Sequence, residues 1–244
     1  MAEYYPLPTW KPSTLIGAYK AAIIADAPRG YWQLGEALIT DPAVDAIATY
    51  PGTYFTNDQN PDFNQAGING VNNNSAVNFN SGSGMAIDGS SWAIGAEASY
   101  EAWIKTANTG DNRRRIISIQ YGYGGGYIFM ALEGGFLEYG DSGLGIEVKG
   151  AVTLYDGAWH HVVITKKNNN NIYWYVDGSP VDYTPLEFGC SSIDETPQIG
   201  RTSLTVQTNY GALESFLGVI DEVAIYDYVL TSVQVAAHYN LGKY

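Results

Sequence analysis

Short runs in which apolar and polar side chains alternate, each closed by Gly, Asn or Asp, follow one another along most of this chain. Alternation puts one set of side chains on each face of a strand, so such a run buries one face and wets the other. The runs are SAVNFN (75–80), ASYEAWIKT (98–106), RRIISIQYG (114–122), YIFMALEGG (127–135), FLEYGD (136–141), HHVVITKK (160–167), IYWYVDG (172–178) and FLGVIDEVAIYD (216–227). GYWQLGE (30–36) and PGTYF (51–55) precede them. Many short strands separated by turn residues predict an all-β fold, either an antiparallel sandwich of two sheets or a barrel.

Composition agrees. Only 15% of the residues are charged and 14% are aromatic, with 20 Tyr and 6 Trp, which argues against a coiled coil, a helical bundle or disorder. With 12 Lys+Arg against 25 Asp+Glu the formal net charge is −13, so an electrostatically driven nucleic-acid or anionic-membrane partner is excluded as an expectation. Neutral ligands such as sugars, or a basic protein surface, fit better. Cys190 is the single cysteine, so no intramolecular disulfide or cysteine metal cluster is expected. Glu3, the absence of an early basic cluster and the absence of an apolar stretch argue against a secretory signal, and no run approaches a membrane span.

Pro6, Pro8 and Pro12 lie among aromatics at the front, which predicts an extended arm. Tyr4, Tyr5, Leu7 and Trp10 on that arm need a surface: their own domain, or a neighbouring subunit. From Ser13 a short helix is expected, with Leu15, Ile16, Tyr19, Ile23 and Ile24 near helical spacing before Pro28. Residues 1–27 thus read as arm and helix, and 28–244 as one domain. Asn57–Asn74 reads as a long surface loop, Asn168–Asn171 and Asp177-Gly178 as turns, and TSVQVAAHYNLG as a terminal helix with Thr231 as N-cap. In YEAWIKT, Tyr100, Ala102 and Ile104 share one face, and Glu101, Trp103 and Lys105 the other. In GVIDEVAIYD, Val219, Asp221, Val223 and Ile225 share a face, which predicts Asp221 in line with core positions; a buried carboxylate there must be paired, hydrogen-bonded or metal-bound.

Taken in order, AAIIADAPRGYWQLGE (21–36), SYEAWIK (99–105), DGAWHHVVIT (156–165), IYWYVDG (172–178), Ile199-Gly200 and GVIDEVAIYDYVL (218–230) resemble the laminin-G-like, concanavalin A-like jelly roll. The resemblance implies a two-sheet antiparallel β-sandwich, and the helix followed by YWQLGE resembles in particular the versions in tailed-bacteriophage virion proteins. It also implies a structural Ca²⁺ site, carried by position onto Asp45, before PGTY, and Asp221, although VDAIATYPGTY departs from the usual Asp-x-Ser-Gly loop.

Glycoside hydrolases of this superfamily resemble one another in two carboxylates at i and i+4 on one strand face. This chain has no ExDxE or ExDxxE, and its acidic pairs, Asp194-Glu195 and Asp221-Glu222, are adjacent, so no enzyme is expected. His160, His161 and His238 are read as structural, Cys190 as an idle thiol and GYGGGY (122–127) as a hairpin connection. Arg113-Arg114-Arg115 is the basic cluster, a solvated strand end or, through Arg114, a contact for an acidic partner. The resulting expectation is a non-enzymatic virion protein, a capsid decoration (cement) or tail-associated protein. It would bind the major capsid protein or other virion proteins through arm and sandwich, as a homo-oligomer such as a trimer. The alternative is a carbohydrate-binding module for host glycans, with Tyr121, Tyr123 and Tyr210 as contacts and no cofactor.

Overall fold

The computed structural model describes residues 17–68, 75–88, 93–94, 97–110, 112–121, 126–141, 145–167, 171–185, 193–194, 197–202 and 214–243. The strands in chain order are β1 (Gly30–Trp32), β2 (Gly52–Thr56), β3 (Asp62–Ala66), β4 (Ser75–Phe79), β5 (Ser83–Ile87), β6 (Ala93–Ile94), β7 (Ala98–Lys105), β8 (Arg114–Tyr121) and β9 (Gly126–Glu133). They continue with β10 (Phe136–Asp141), β11 (Ile146–Thr153), β12 (Trp159–Lys167), β13 (Asn171–Val176), β14 (Ser179–Pro185), β15 (Ile193–Asp194), β16 (Pro197–Ile199) and β17 (Gly218–Tyr226). Helices α1 (Ala18–Ala25) and α2 (Ser232–Gly242) flank them.

Two large antiparallel sheets form a sandwich. The eight-stranded sheet runs β14-β13-β12-β7-β17-β4-β3, with β1 also on β17, and the seven-stranded sheet runs β11-β10-β9-β8-β16-β5-β2. Between them lies the main core: Trp32, Phe79, Tyr100, Ala102, Ile104, Ile117, Met130, Tyr139, Ile164, Trp174, Ile220, Val223 and Ile225 are all buried there. The expected two-sheet sandwich with short helices near both ends is therefore what the chain forms, and Tyr100, Ala102 and Ile104, expected to share one face, do so and point into the core.

The opposite face of the eight-stranded sheet carries a second apolar cluster beneath the helices, made of Tyr19, Ile23, Tyr31, Trp103, Val163, Tyr175, Ala224, Tyr226, Leu230 and Val235. Trp103 thus lies under α2, where its ring stacks on Tyr239 at 5.8 Å. Thr231 caps α2 in a full capping box with Gln234, satisfying donors that the first helical turn leaves open. Asp177 and Gly178, at φ 51° and 74°, make the turn between β13 and β14, a conformation glycine adopts without strain and Asp tolerates.

Three expectations are corrected. Asn57–Asn74 is not wholly loop: β3 pairs with β4 as a sheet edge, with a register shift between Asp62 and Gln65 around Asn64 at φ 58°. An edge strand needs a partner on one side only, so polar residues suffice, and Asn is among the residues that accept a left-handed backbone. The strand expected over Gly30–Glu36 is only three residues long, since Leu34 at φ 56° bends the chain away. Last, the alternation of β17 breaks at a bulge between Asp221 and Ala224, with Glu222 at φ 53°. One extra residue shifts the phase, so Ile220, Val223 and Ile225 enter the core while Asp221 is paired with Trp103 on the outer side. Residues 1–16, including the front of the helix expected from Ser13, lie outside the described residues, as do 168–170 of the Asn turn and Cys190.

Candidate functional site

The densest chemistry sits on the outer face of the eight-stranded sheet, where β7 turns Glu101 toward the helices. Its carboxylate accepts from His161 Nε2 on β12 at 2.7 Å and from His238 Nδ1 on α2 at 3.1 Å to each oxygen. Tyr226 on β17 donates to it at 3.0 Å and Tyr19 on α1 at 3.3 Å. Trp103 Nε1 donates to the Tyr19 hydroxyl at 3.2 Å. Glu101 and His161 are fully buried. Burial opposes the charge on Glu101, but His238 and His161 overcome it and hold the carboxyl well below the usual carboxylate range. His238 bonds Asp26 through Nε2 at 3.0 Å; burial disfavours its charge, yet the two carboxylates raise its pKa. With both ring nitrogens on carboxylates, His238 is an imidazolium donating two hydrogen bonds. His161 uses one ring nitrogen, its buried Nδ1 having no hydrogen-bond partner among the described residues.

Beside this cluster, Glu222 accepts a hydrogen bond from the Tyr31 hydroxyl and one from Gln33 Nε2 at 3.3 Å. Burial pushes its carboxyl up to about 7, against the pull of those two donors and of Lys20. Glu101 and Glu222 thus have affinities for protons driven in opposite directions, a pattern seen in acid–base pairs. Here the surroundings are filled: Tyr19, Tyr31 and Tyr226 pack over these carboxyls as part of the apolar cluster.

Asp45 and Asp221 have other duties. Asp45 Oδ1 accepts the amides of Tyr31 and Ile47 at 3.0 and 3.1 Å, and Oδ2 those of Thr49 and Tyr50 at 3.0 and 2.8 Å. Four N–H groups converge on one carboxylate, organising the loop before β2 and using the lone pairs a Ca²⁺ ion would need, so Asp45 does not fit as a calcium ligand. Asp221 Oδ2 accepts the Ile68 amide at 2.9 Å. Among the described residues no three His, Cys, Asp or Glu side chains gather as a metal site.

The arginine run divides. Arg113 pairs with Glu138 through two parallel hydrogen bonds at 2.7 and 2.8 Å and with Glu147 at 2.9 Å. Arg115 pairs with Glu214 and lies 3.6 Å over the Phe129 ring. Arg114 is half-buried, and its Nη2 donates to Asn108 Oδ1 at 3.3 Å. The run is thus neither a wholly solvated strand end nor a uniform basic patch. Of the expected glycan contacts, Tyr121 ends β8, while Tyr123 and Tyr210 lie outside the described residues, as do Tyr4, Tyr5, Leu7 and Trp10. The sequence reading missed the Glu101 centre; a glutamate flanked by Tyr100, Ala102 and Trp103 in a strand is its one local sign.

The model of the concanavalin A-like lectin/glucanases superfamily, Laminin_G_3, matches residues 79–236. The chain belongs to this superfamily. No curated protein sequence matches it. Among solved structures, this lectin/glucanase-type sandwich is similar to domain 4 of AbnA, a GH43 extracellular arabinanase from Geobacillus stearothermophilus, in complex with arabinotriose. The TM-score is 0.63 at 17% identity, over 88% of this chain and 98% of that one. It is similar to the Trypanosoma rangeli sialidase in complex with the inhibitor DANA, with TM-score 0.57 at 13% identity, over 86% of this chain and 32% of the sialidase. The botulinum neurotoxin type G receptor binding domain gives TM-score 0.58 at 14% identity, over 87% and 51%. The chain thus spans about a third of the sialidase and half of the toxin domain. These likenesses establish the fold.

Proposed function

We propose that this chain is a carbohydrate-binding module without hydrolytic activity. The observation that carries the reading is the likeness to AbnA domain 4, a unit of nearly the same extent whose structure holds arabinotriose. Two features of this chain support it. Three of its buried carboxylates are committed to internal donors: Glu101 to histidines and tyrosines, Glu138 to Arg113, Asp45 to amides. A retaining or inverting hydrolase needs two carboxyls flanking a substrate bond, whereas Glu101 and Glu222 lie beneath packed tyrosines. Its acidity also suits an uncharged ligand.

Attachment to a virion through the apolar arm has less support, because Tyr4, Tyr5, Leu7 and Trp10 lie outside the described residues and none of the three structures above is a virion protein. A glycan array followed by calorimetry with arabino-oligosaccharides tests the carbohydrate reading. Saturable binding of at least one neutral glycan is expected; an array without signal together with no heat of binding would overturn it.

A further inference from the structure

On the outer face of the eight-stranded sheet, the hairpin of β13 and the edge strand β14 carries a pair of tyrosines, of which Tyr173 packs partly against the second apolar cluster. Tyr173 and Tyr183 are directly opposite each other across the strands. Their rings are stacked, with centroids 6.2 Å apart and planes 28° from parallel. Tyr183 is 59% exposed, an unusual position for so large a ring. Asn171 Nδ2 donates to the Tyr173 hydroxyl at 3.1 Å and fixes that ring.

Register places Lys167, Asn171 and Pro185 in one row across the sheet and Thr165, Tyr173 and Tyr183 in the next. These six residues include no carboxylate, on a chain of net charge −13. Cross-strand aromatic pairing alone stabilises a hairpin by only about 0.2–1 kcal/mol, and it does not require the rings to stay in water.

We propose that Tyr173, Tyr183 and Asn171 form a stacking platform for a neutral polysaccharide chain. This rests on the carbohydrate-binding reading and assigns it a place. The C–H face of a sugar ring lies against the exposed tyrosine, while the Asn171 amide and the tyrosine hydroxyls exchange hydrogen bonds with sugar hydroxyls. Because the rings hold each other and Asn171 holds one of them, little side-chain entropy is lost on binding. The platform lies on the face of a sheet at its edge strand, so it grips units within a chain and does not enclose a chain end.

The test is affinity electrophoresis of the full chain through gels containing arabinan, xylan or mixed-linkage β-glucan, with thermal melts of each variant. The wild type is retarded by at least one polymer. Tyr183→Thr, which keeps strand propensity and deletes the ring, weakens that binding by about tenfold without shifting the melt by more than about 4 °C. Tyr183→Phe, which keeps the ring, binds within about threefold of the wild type. Undiminished binding by Tyr183→Thr, or an equal loss in Tyr183→Phe, overturns the platform and leaves the carbohydrate reading standing. A wild type retarded by none of the polymers, with no signal on the glycan array, overturns both.

Discussion

His238 Nδ1 stands 3.1 Å from both oxygens of Glu101, so the last helix is pinned by a charged pair to a central strand laid down more than a hundred residues earlier. Its Nε2 reaches Asp26 at the end of α1, and one imidazole thereby ties both helices to the sheet.

That arrangement sets an alkaline limit on stability. The folded pKa of His238 is raised above its ordinary 6.5, so its contribution is complete below 6.5 and is lost as pH rises through the folded value. Glu101 is depressed below its ordinary 4.5, so its contribution is complete above 4.5 and is lost as pH falls toward the folded value. Both are intact between 4.5 and 6.5. Thermal melts across pH should show His238→Gln losing about 3 kcal/mol at pH 6 and a smaller amount in alkali. An equal loss at both would show that the imidazolium is unimportant.

Glu222 acts in the opposite sense. Its folded value of about 7 lies above the ordinary 4.5, so stability declines as pH rises from 4.5 through 7. Glu222→Gln keeps an acceptor for Tyr31 and removes the ionisation. The variant should melt with the wild type at pH 4.5 and above it at pH 8; identical melts at pH 8 would contradict the raised value.

Asp45 is a loop organiser. Asp45→Ala leaves four amides without their acceptor and should cost about 2–3 kcal/mol in chemical denaturation. Adding Ca²⁺ or a chelator to the wild type should leave the melting temperature unchanged. A rise of several degrees with Ca²⁺ would show that a metal site exists.

Arg113 holds β10 and β11 through Glu138 and Glu147. Arg113→Ala leaves the fully buried Glu138 carboxyl short of its bidentate partner and should cost about 3 kcal/mol. Arg114→Ala, which loses one bond to Asn108, should cost under about 1 kcal/mol. Urea unfolding of the two variants gives the comparison.

The strands were legible because alternation and turn chemistry are local: β7, β10 and β12 lie within a residue of their expected ranges. The bulge at Glu222 was not, since its left-handed backbone is occupied by glutamate and no glycine announces it. The edge strand β3 was hidden for a related reason, its polar composition being that of a loop until β4 is beside it. The partners of Glu101 could not be read either, for they come from four separate elements and only pairing across the fold brings them together. The Tyr173–Tyr183 contact depends on the register of β14, which a shift between Trp174 and Tyr175 resets.

The position of β17 also dictates when folding can finish. It is the strand shared by β7, β4 and β1, which precede it by more than a hundred residues. As the chain emerges in order, β7 keeps one bare edge and β4 and β1 lack their common neighbour until Gly218–Tyr226 arrives. Closure of such distant loops is slow, so the half-made sheet passes through a period of vulnerability to aggregation that ends only when this inner strand, the last of the described strands in chain order, slides into place.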